Sequence, residues 1–173
     1  MKWPSIAMAL GVAFSASAGT PPLKADLAGI GFLVGRWESG SGRVADSGGT
    51  SRGSSVVTVE ANGAALLRRD HTDLFDARAK PSGGFDQVML IYAENGTIHA
   101  DYSDGQHVIH YTSATVVAGE SVTFSSTPQA GTPAFKLTYE LHAPDTLSVT
   151  FGMTPPGQSG FQPIASGTLK RHK

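Results

Sequence analysis

Short runs of alternating apolar and polar residues, joined repeatedly by two-residue turn signals, leave this chain few folds to adopt. Asn62–Gly63, Asn95–Gly96 and Asp104–Gly105 each separate two such runs, and these dipeptides supply the positive φ angles that tight hairpins need. The runs are SSVVTVEA, AALLRRDHT, FDQVMLIYAE, TIHADY and QHVIHYT, then ESVTFSS, AFKLTYELH, DTLSVTFGM and FQPIASGTLKR. With GRWESGSGRV they make about ten strands, at the spacing expected of a sandwich or barrel. Sequential hairpins favour an all-β, antiparallel up-and-down β-barrel over a Greek-key sandwich. The glycosylation pattern Asn95-Gly96-Thr97 is read as part of its turn.

The start of the chain has a different character. Lys2 forms a short positive region, an apolar run extends from about Ile6 to Phe14, and Ala16-Ser17-Ala18 supplies a small-residue cleavage pattern. This is the layout of a secretory signal peptide over residues 1–18, too short for a membrane span. The expectation is cleavage near Ala18, a periplasmic or secreted location, and one domain over residues 19–173. There is no cysteine, so neither a lipidated cysteine nor a disulfide is available, and packing alone must hold the barrel. Loss of Lys2 leaves 12 Lys+Arg against 14 Asp+Glu, a formal charge of −2. With no basic run, nucleic acid and anionic lipid are not expected partners.

Between leader and strands, Thr20-Pro21-Pro22 suits a helix start. Leu23, Leu27, Ile30 and Val34 then recur at helical spacing, while Gly29 and Gly31 each weaken the helix by ~1 kcal/mol relative to alanine. A short helix closing one end of the barrel is expected. Asp73 to Gly84 and Thr154 to Gly160 carry proline and glycine and read as loops at the mouth.

Alternation aims the side chains. Phe135, Leu137, Tyr139 and Leu141 share one face of their strand, and Leu147, Val149, Phe151 and Met153 one face of the next. The Asn95–Gly96 turn pairs Tyr102 with Met89 and Ala100 with Ile91. A two-residue turn at Asp104–Gly105 would pair Tyr102 with His107 and His99 with His110. The inner face then holds Met89, Ile91, Ile98, Ala100, Tyr102, His107, Ile109 and Tyr111. The outer face holds Val88, Leu90, Tyr92, His99, Asp101, Val108 and His110. In the RRDH run at least one charge must point inward, at a cost unless it is paired or wet; Arg68 and Asp70 are the expected pair.

An interior Arg68 surrounded by Tyr102, Tyr111 and Tyr139 has the donors to hold a carboxylate, while the apolar rows hold a tail. The competing reading is that Arg68 and Asp70 pair with each other and the tyrosines bond to backbone. His99, His110 and Asp101 on the outer face lack the spacing of known metal signatures, and no metal is assigned. His107 beside Tyr102 is a pocket histidine, with acid/base or haem ligation as alternatives. No nucleophile elbow, phosphate loop, dinucleotide fingerprint or zinc-protease helix is present.

Gly35-Arg36-Trp37, entering the first strand after a short helix, resembles the calycin barrels, which include lipocalins and fatty-acid-binding proteins. That resemblance implies a tryptophan under the closed end beside a basic residue of the last strand, here Arg171. From Phe32 to Arg171 the layout, with FLVGRWES, IHADYSDGQHVIHYT, FKLTYE and MTPPG, resembles a bacterial family of exported calycin-like barrels with no agreed activity. It is also similar to nitrobindin, whose ten-stranded barrels bind haem through a histidine near the last strands. This chain has Ile164 at that place, a departure that counts against that haem route.

The leading expectation is an exported barrel that binds a small, mostly apolar ligand, with an acidic group as one option. Arg68, Asp70, Tyr102, His107, Tyr111 and Tyr139 are its candidate binding residues. Alternatives are a haem- or nitric-oxide-binding protein using His107 or another histidine, and a cofactor-free isomerase, cyclase or hydrolase using His107, Tyr102 and Asp70. A fourth is a partner-binding role in which Val88, Leu90, Tyr92 and Val108 pair subunits as a homodimer. No catalytic residue is assigned.

Overall fold

The computed structural model describes residues 21–44 and 48–172; the leader over residues 1–18 and the Thr20 cap lie outside them. Ten strands follow a brief helical segment: β1 Gly35–Val44, β2 Thr50–Glu60, β3 Ala65–Phe75, β4 Pro81–Glu94 and β5 Thr97–Ser103, then β6 Val108–Val117, β7 Ser121–Ser126, β8 Ala134–Ala143, β9 Thr146–Thr154 and β10 Gln162–Arg171. Each pairs antiparallel with its neighbours in sequence, and β1 pairs with β10 to close the barrel. Closure removes the exposed edges that an open sheet of this size would carry. Among the described residues no helix is long and apolar enough to cross a membrane.

The helix is shorter than its apolar stripe suggests. It covers Ala25–Ala28 (α1), then yields at Gly29 to a 3₁₀ turn, Gly31–Leu33, with Val34 already extended. Leu27, Ile30 and Leu33 are nonetheless buried and join the core of Trp37, Leu66, Ile91, Phe124 and Leu147. Each such side chain contributes roughly 1.5–3 kcal/mol relative to an exposed one, which offsets the weak helical propensity of the glycines. Two backbone hydrogen bonds seat this plug on hairpin turns: Lys24 N–H to Gly63 O at 2.9 Å and Gly119 N–H to Gly29 O at 2.8 Å. Gly63 has φ +85°, and a Cβ there would overlap the Pro22 carbonyl. The plug can approach only because that position is glycine.

The plug covers the end formed by the β2–β3, β4–β5, β6–β7 and β8–β9 turns. The opposite end, formed by the β3–β4, β5–β6, β7–β8 and β9–β10 connections, is the mouth. One expected mouth loop is mostly strand: β3 runs to Phe75 and β4 begins at Pro81, leaving only residues 76–80 as a turn. The Asp76 carboxylate organises it, accepting from the Arg78 and Lys80 backbone N–H groups at 2.8 and 2.9 Å. Cross-strand pairing with β3 overrides the glycines at 83 and 84, because a barrel strand is set by its neighbours as much as by its own propensity. The segment after β9 is a loop as expected.

Register decides which side chains share the interior. Met89 faces Tyr102, Ile91 faces Ala100 and Val57 faces Arg68, as the Asn-Gly turns imply. Beyond Tyr102 the register is displaced. Tyr102 pairs with Ile109, Asp101 with His110 and Ala100 with Tyr111, because the turn spans Asp104 to His107 and not two residues alone. The displacement is two residues, so the inner and outer faces of the strands are unchanged. His107 alone is lost from the inner face, because it belongs to the turn.

Candidate functional site

Above the plug the barrel encloses a cavity of about 910 Å³ that opens at the mouth. Its wall is mainly apolar, with Phe135, Leu137, Val149 and Phe151 on β8 and β9; the Phe135 and Phe151 rings stack at 5.8 Å. Ile164 borders the cavity beside the β10 irregularity between Pro163 and Ala165.

The floor is polar. Arg68 on β3 points inward between Val57 and Met89, and Asp70, two residues along, shares its face. The Arg68 Nε donates to Asp70 Oδ2 at 2.7 Å, and Nη2 donates to the same oxygen and to Gln87 Oε1 at 3.1 Å. Both side chains are 11% exposed. Among the described residues Nη1 has only the Met89 sulfur at 3.6 Å, and the guanidinium carbon lies 5.6 Å from the Tyr139 ring centre. Burial alone would favour a neutral Arg68, but the Asp70 carboxylate, assisted by Tyr139 and Tyr102, reverses this and holds it charged. The pair therefore forms as one of the two sequence readings requires, and it neutralises the floor.

Three of the four tyrosines surround this pair. Tyr139 and Tyr111 are buried and Tyr102 is half-buried. Burial pushes all three phenols well above their usual range, with Arg68 opposing only in part. They are thus neutral O–H donors at physiological pH. Tyr102 Oη donates to Asp104 Oδ2 at 3.3 Å, in place of the expected His107 contact. The Tyr139 hydroxyl is near Arg68 without meeting it in hydrogen-bond geometry, and Tyr139 Oη and Asp70 Oδ1 are buried with no hydrogen-bond partner among the described residues. Residue types and strand parity brought Arg68, Asp70 and the tyrosines together; these two open valences had no signal in the sequence.

His107 requires a correction. It sits in the β5–β6 turn at the rim, with its side chain 70% exposed and Nδ1 3.1 Å from Asp104 Oδ2. Asp104 organises this turn. Its Oδ1 accepts the backbone N–H groups of Gln106 at 2.9 Å and His107 at 2.7 Å. Partial burial tends to raise its carboxyl, but these hydrogen bonds and the His107 ring prevail and bring it down to about 2. Sequence reasoning missed Asp104 and Gln87. Asp104 has a recognisable signal, an aspartate that can accept from N–H groups two and three residues on.

The outer face is as expected in membership, with different pairings. His110 Nδ1 is 2.6 Å from Asp101 Oδ1, and the His99 ring stacks on Tyr92 at 5.6 Å. Val88, Leu90 and Val108 are exposed. The His99, His110 and Asp101 trio does not converge, and among the described residues no group of three or more potential ligands is placed to hold a metal.

At the closed end, Trp37 donates its indole N–H to Leu33 O at 2.8 Å. Arg171 covers the ring and donates to the carbonyls of Val34, Phe32 and Pro144 at 2.6, 2.9 and 3.1 Å. Gly35, at φ +128°, leaves room for it, since a Cβ would stand 2.7 Å from Arg171 Nη1.

No protein-family model and no curated protein matches this chain. Several solved structures are similar in shape, among them the following two. The S-type phycobiliprotein lyase CPES from Guillardia theta superposes with a TM-score of 0.51 at 13% identity, over 82% of this chain and 89% of that one. EF1p2_mFAP2b bound to DFHBI gives 0.43 at 12% identity, over 84% and 98%. The likeness to the lyase is one of fold, and in this chain that fold is ten antiparallel strands closed as a barrel.

Proposed function

We propose that this chain is an exported small-molecule-binding barrel whose ligand is mostly apolar and enters tail-up, with its polar end at the Arg68 floor. The observation that carries this reading is the cavity of about 910 Å³, open at one end and closed at the other by the plug. That volume suits an amphiphile of ordinary size, and an apolar wall with few convergent polar groups is the usual composition of such sites. Arg68, Asp70, Tyr102, Tyr111 and Tyr139 are the proposed contacts of the polar end, and His107 a contact at the rim. Phenols held neutral by burial favour binding over proton transfer. Export is proposed on the pattern of residues 1–18, and N-terminal sequencing of the secreted or periplasmic protein should begin just after Ala18.

Native mass spectrometry of freshly purified protein, together with titration by N-phenyl-1-naphthylamine, tests the binding reading. One probe molecule per chain should bind at micromolar concentration, and Val149→Trp, which fills the cavity from β9, should weaken it at least tenfold. If no ligand co-purifies and the probe binds Val149→Trp as well as wild type, the cavity is not a binding site.

A further inference from the structure

We infer, resting on the reading of the cavity as a ligand site, that its floor selects a neutral head group carrying a hydrogen-bond donor beside an acceptor, as in a long-chain primary amide, and rejects a carboxylate. The arginine that would attract an anion already has its charge matched by Asp70. Two of its nitrogens are on Asp70 Oδ2, one of them also on Gln87, within a pair shielded from water. A carboxylate entering here would meet Asp70 as a second negative charge in a weakly screening site.

What the floor leaves open is a different pair of valences. Asp70 Oδ1 and Tyr139 Oη both lack a partner among the described residues, on side chains that line the cavity. Since neither oxygen has surface open to it, a head group reaches them by a small turn of each side chain. The Asp70 oxygen can only accept. Tyr139 has its own O–H proton to donate, and this remains true if its oxygen shifts to accept from Arg68. Buried polar groups without partners are uncommon and costly, so a ligand that completes both gains from each. A primary amide does so with adjacent atoms: its N–H donates to Asp70 and its carbonyl accepts from Tyr139. A carboxylate or an ester has no donor for Asp70.

The experiment is displacement of N-phenyl-1-naphthylamine at pH 7.5 by dodecanamide, dodecanoate and methyl dodecanoate. Dodecanamide should displace the probe at a concentration at least tenfold below that of the other two. Tyr139→Phe should weaken dodecanamide five- to tenfold, after correction for the variant's own probe affinity, while circular dichroism stays unchanged. Asp70→Asn frees Arg68 and should improve dodecanoate at least tenfold. If that variant does not fold, Tyr139→Phe decides alone. Equal displacement by the three compounds, as when ordered water satisfies both atoms, or an unaltered amide affinity in Tyr139→Phe, overturns the inference while leaving the binding reading intact. Failure of the probe itself to bind overturns both.

Discussion

The Arg171 guanidinium lies 4.1 Å from the centre of the Trp37 ring, across the seam where the last strand meets the first. The same group donates three hydrogen bonds to carbonyls of the plug and of the β8–β9 turn. One side chain thus ties barrel closure to closure of the end. Stacking of this kind contributes ~0.5–2 kcal/mol, and hydrogen bonds from a charged donor add about 1.5–3 kcal/mol each when measured singly. Because these contributions overlap, Arg171→Ala should destabilise by about 3 kcal/mol. Arg171→Lys should recover less than half, since an ammonium cannot span three acceptors and a ring. Urea midpoints of the three proteins provide the check, and a lysine variant as stable as wild type would refute the fork geometry.

Gly63 gives an independent measure of the plug. Its φ of +85° and the Pro22 carbonyl against its Cα exclude any side chain. Gly63→Ala should detach the Lys24 N–H bond and expose Leu27 and Ile30, at a cost of about 2–4 kcal/mol from strain and lost burial. Hydrogen exchange at Lys24 and Leu27 should quicken before exchange in β3 and β4 does. Uniform loss of protection would mean that the plug and barrel unfold as one unit.

Much of this arrangement follows from parity. A strand side chain has two choices of face, and errors of two residues in register leave both faces intact. Tyr102, Ile109 and Tyr111 therefore fall inward although the hairpin was expected to be two residues tighter. Arg68 and Asp70, two apart on β3, had to share a face once one of them was inward. His107 fails for the same physical reason. Parity holds only within a strand, and Asp104 captures the next backbone N–H groups and turns His107 out of the ladder. The family resemblance carried by Gly35-Arg36-Trp37 implies Arg171 beside Trp37, a contact that β1–β10 pairing realises. The open valences of Asp70 and Tyr139 depend on distances of tenths of an ångström, which alternation does not carry.

On the outer face, His71 sits between Asp86 and Asp73, with Nδ1 2.7 Å from the first and Nε2 3.3 Å from the second. Hydrogen bonding to Asp86, then to Asp73, raises its pKa above the ordinary 6.5. The stabilisation is therefore complete below about 6.5 and declines as pH rises through the folded-state value. An NMR titration should find His71 the more basic for these partners, and Asp86→Asn should return it toward 6.5. A titration indifferent to Asp86→Asn would assign the effect elsewhere. His71 is exposed, so no measurable change in melting temperature is expected.

Asp104 has the opposite sign. Its carboxyl falls from 3.8 to about 2 on folding, because the Gln106 and His107 N–H groups and the His107 ring favour the charged form over its partial desolvation. A depressed carboxylate stabilises the fold above its unfolded value, and that contribution disappears as pH drops from about 4 through 2. Its size is roughly 1–2 kcal/mol after allowance for partial solvation. Asp104→Asn keeps an oxygen for the turn N–H groups but loses the charge. The variant should thus be less stable than wild type at pH 7 and equal to it at pH 2, with the gap closing between pH 4 and 2. Urea unfolding across this range measures it, and a gap independent of pH would show that shape, not charge, holds the turn. The same turn fixes the Tyr102 hydroxyl through Asp104 Oδ2. Probe release from the cavity should accelerate in Asp104→Asn at pH 7, because a looser β5–β6 turn widens the mouth above the floor.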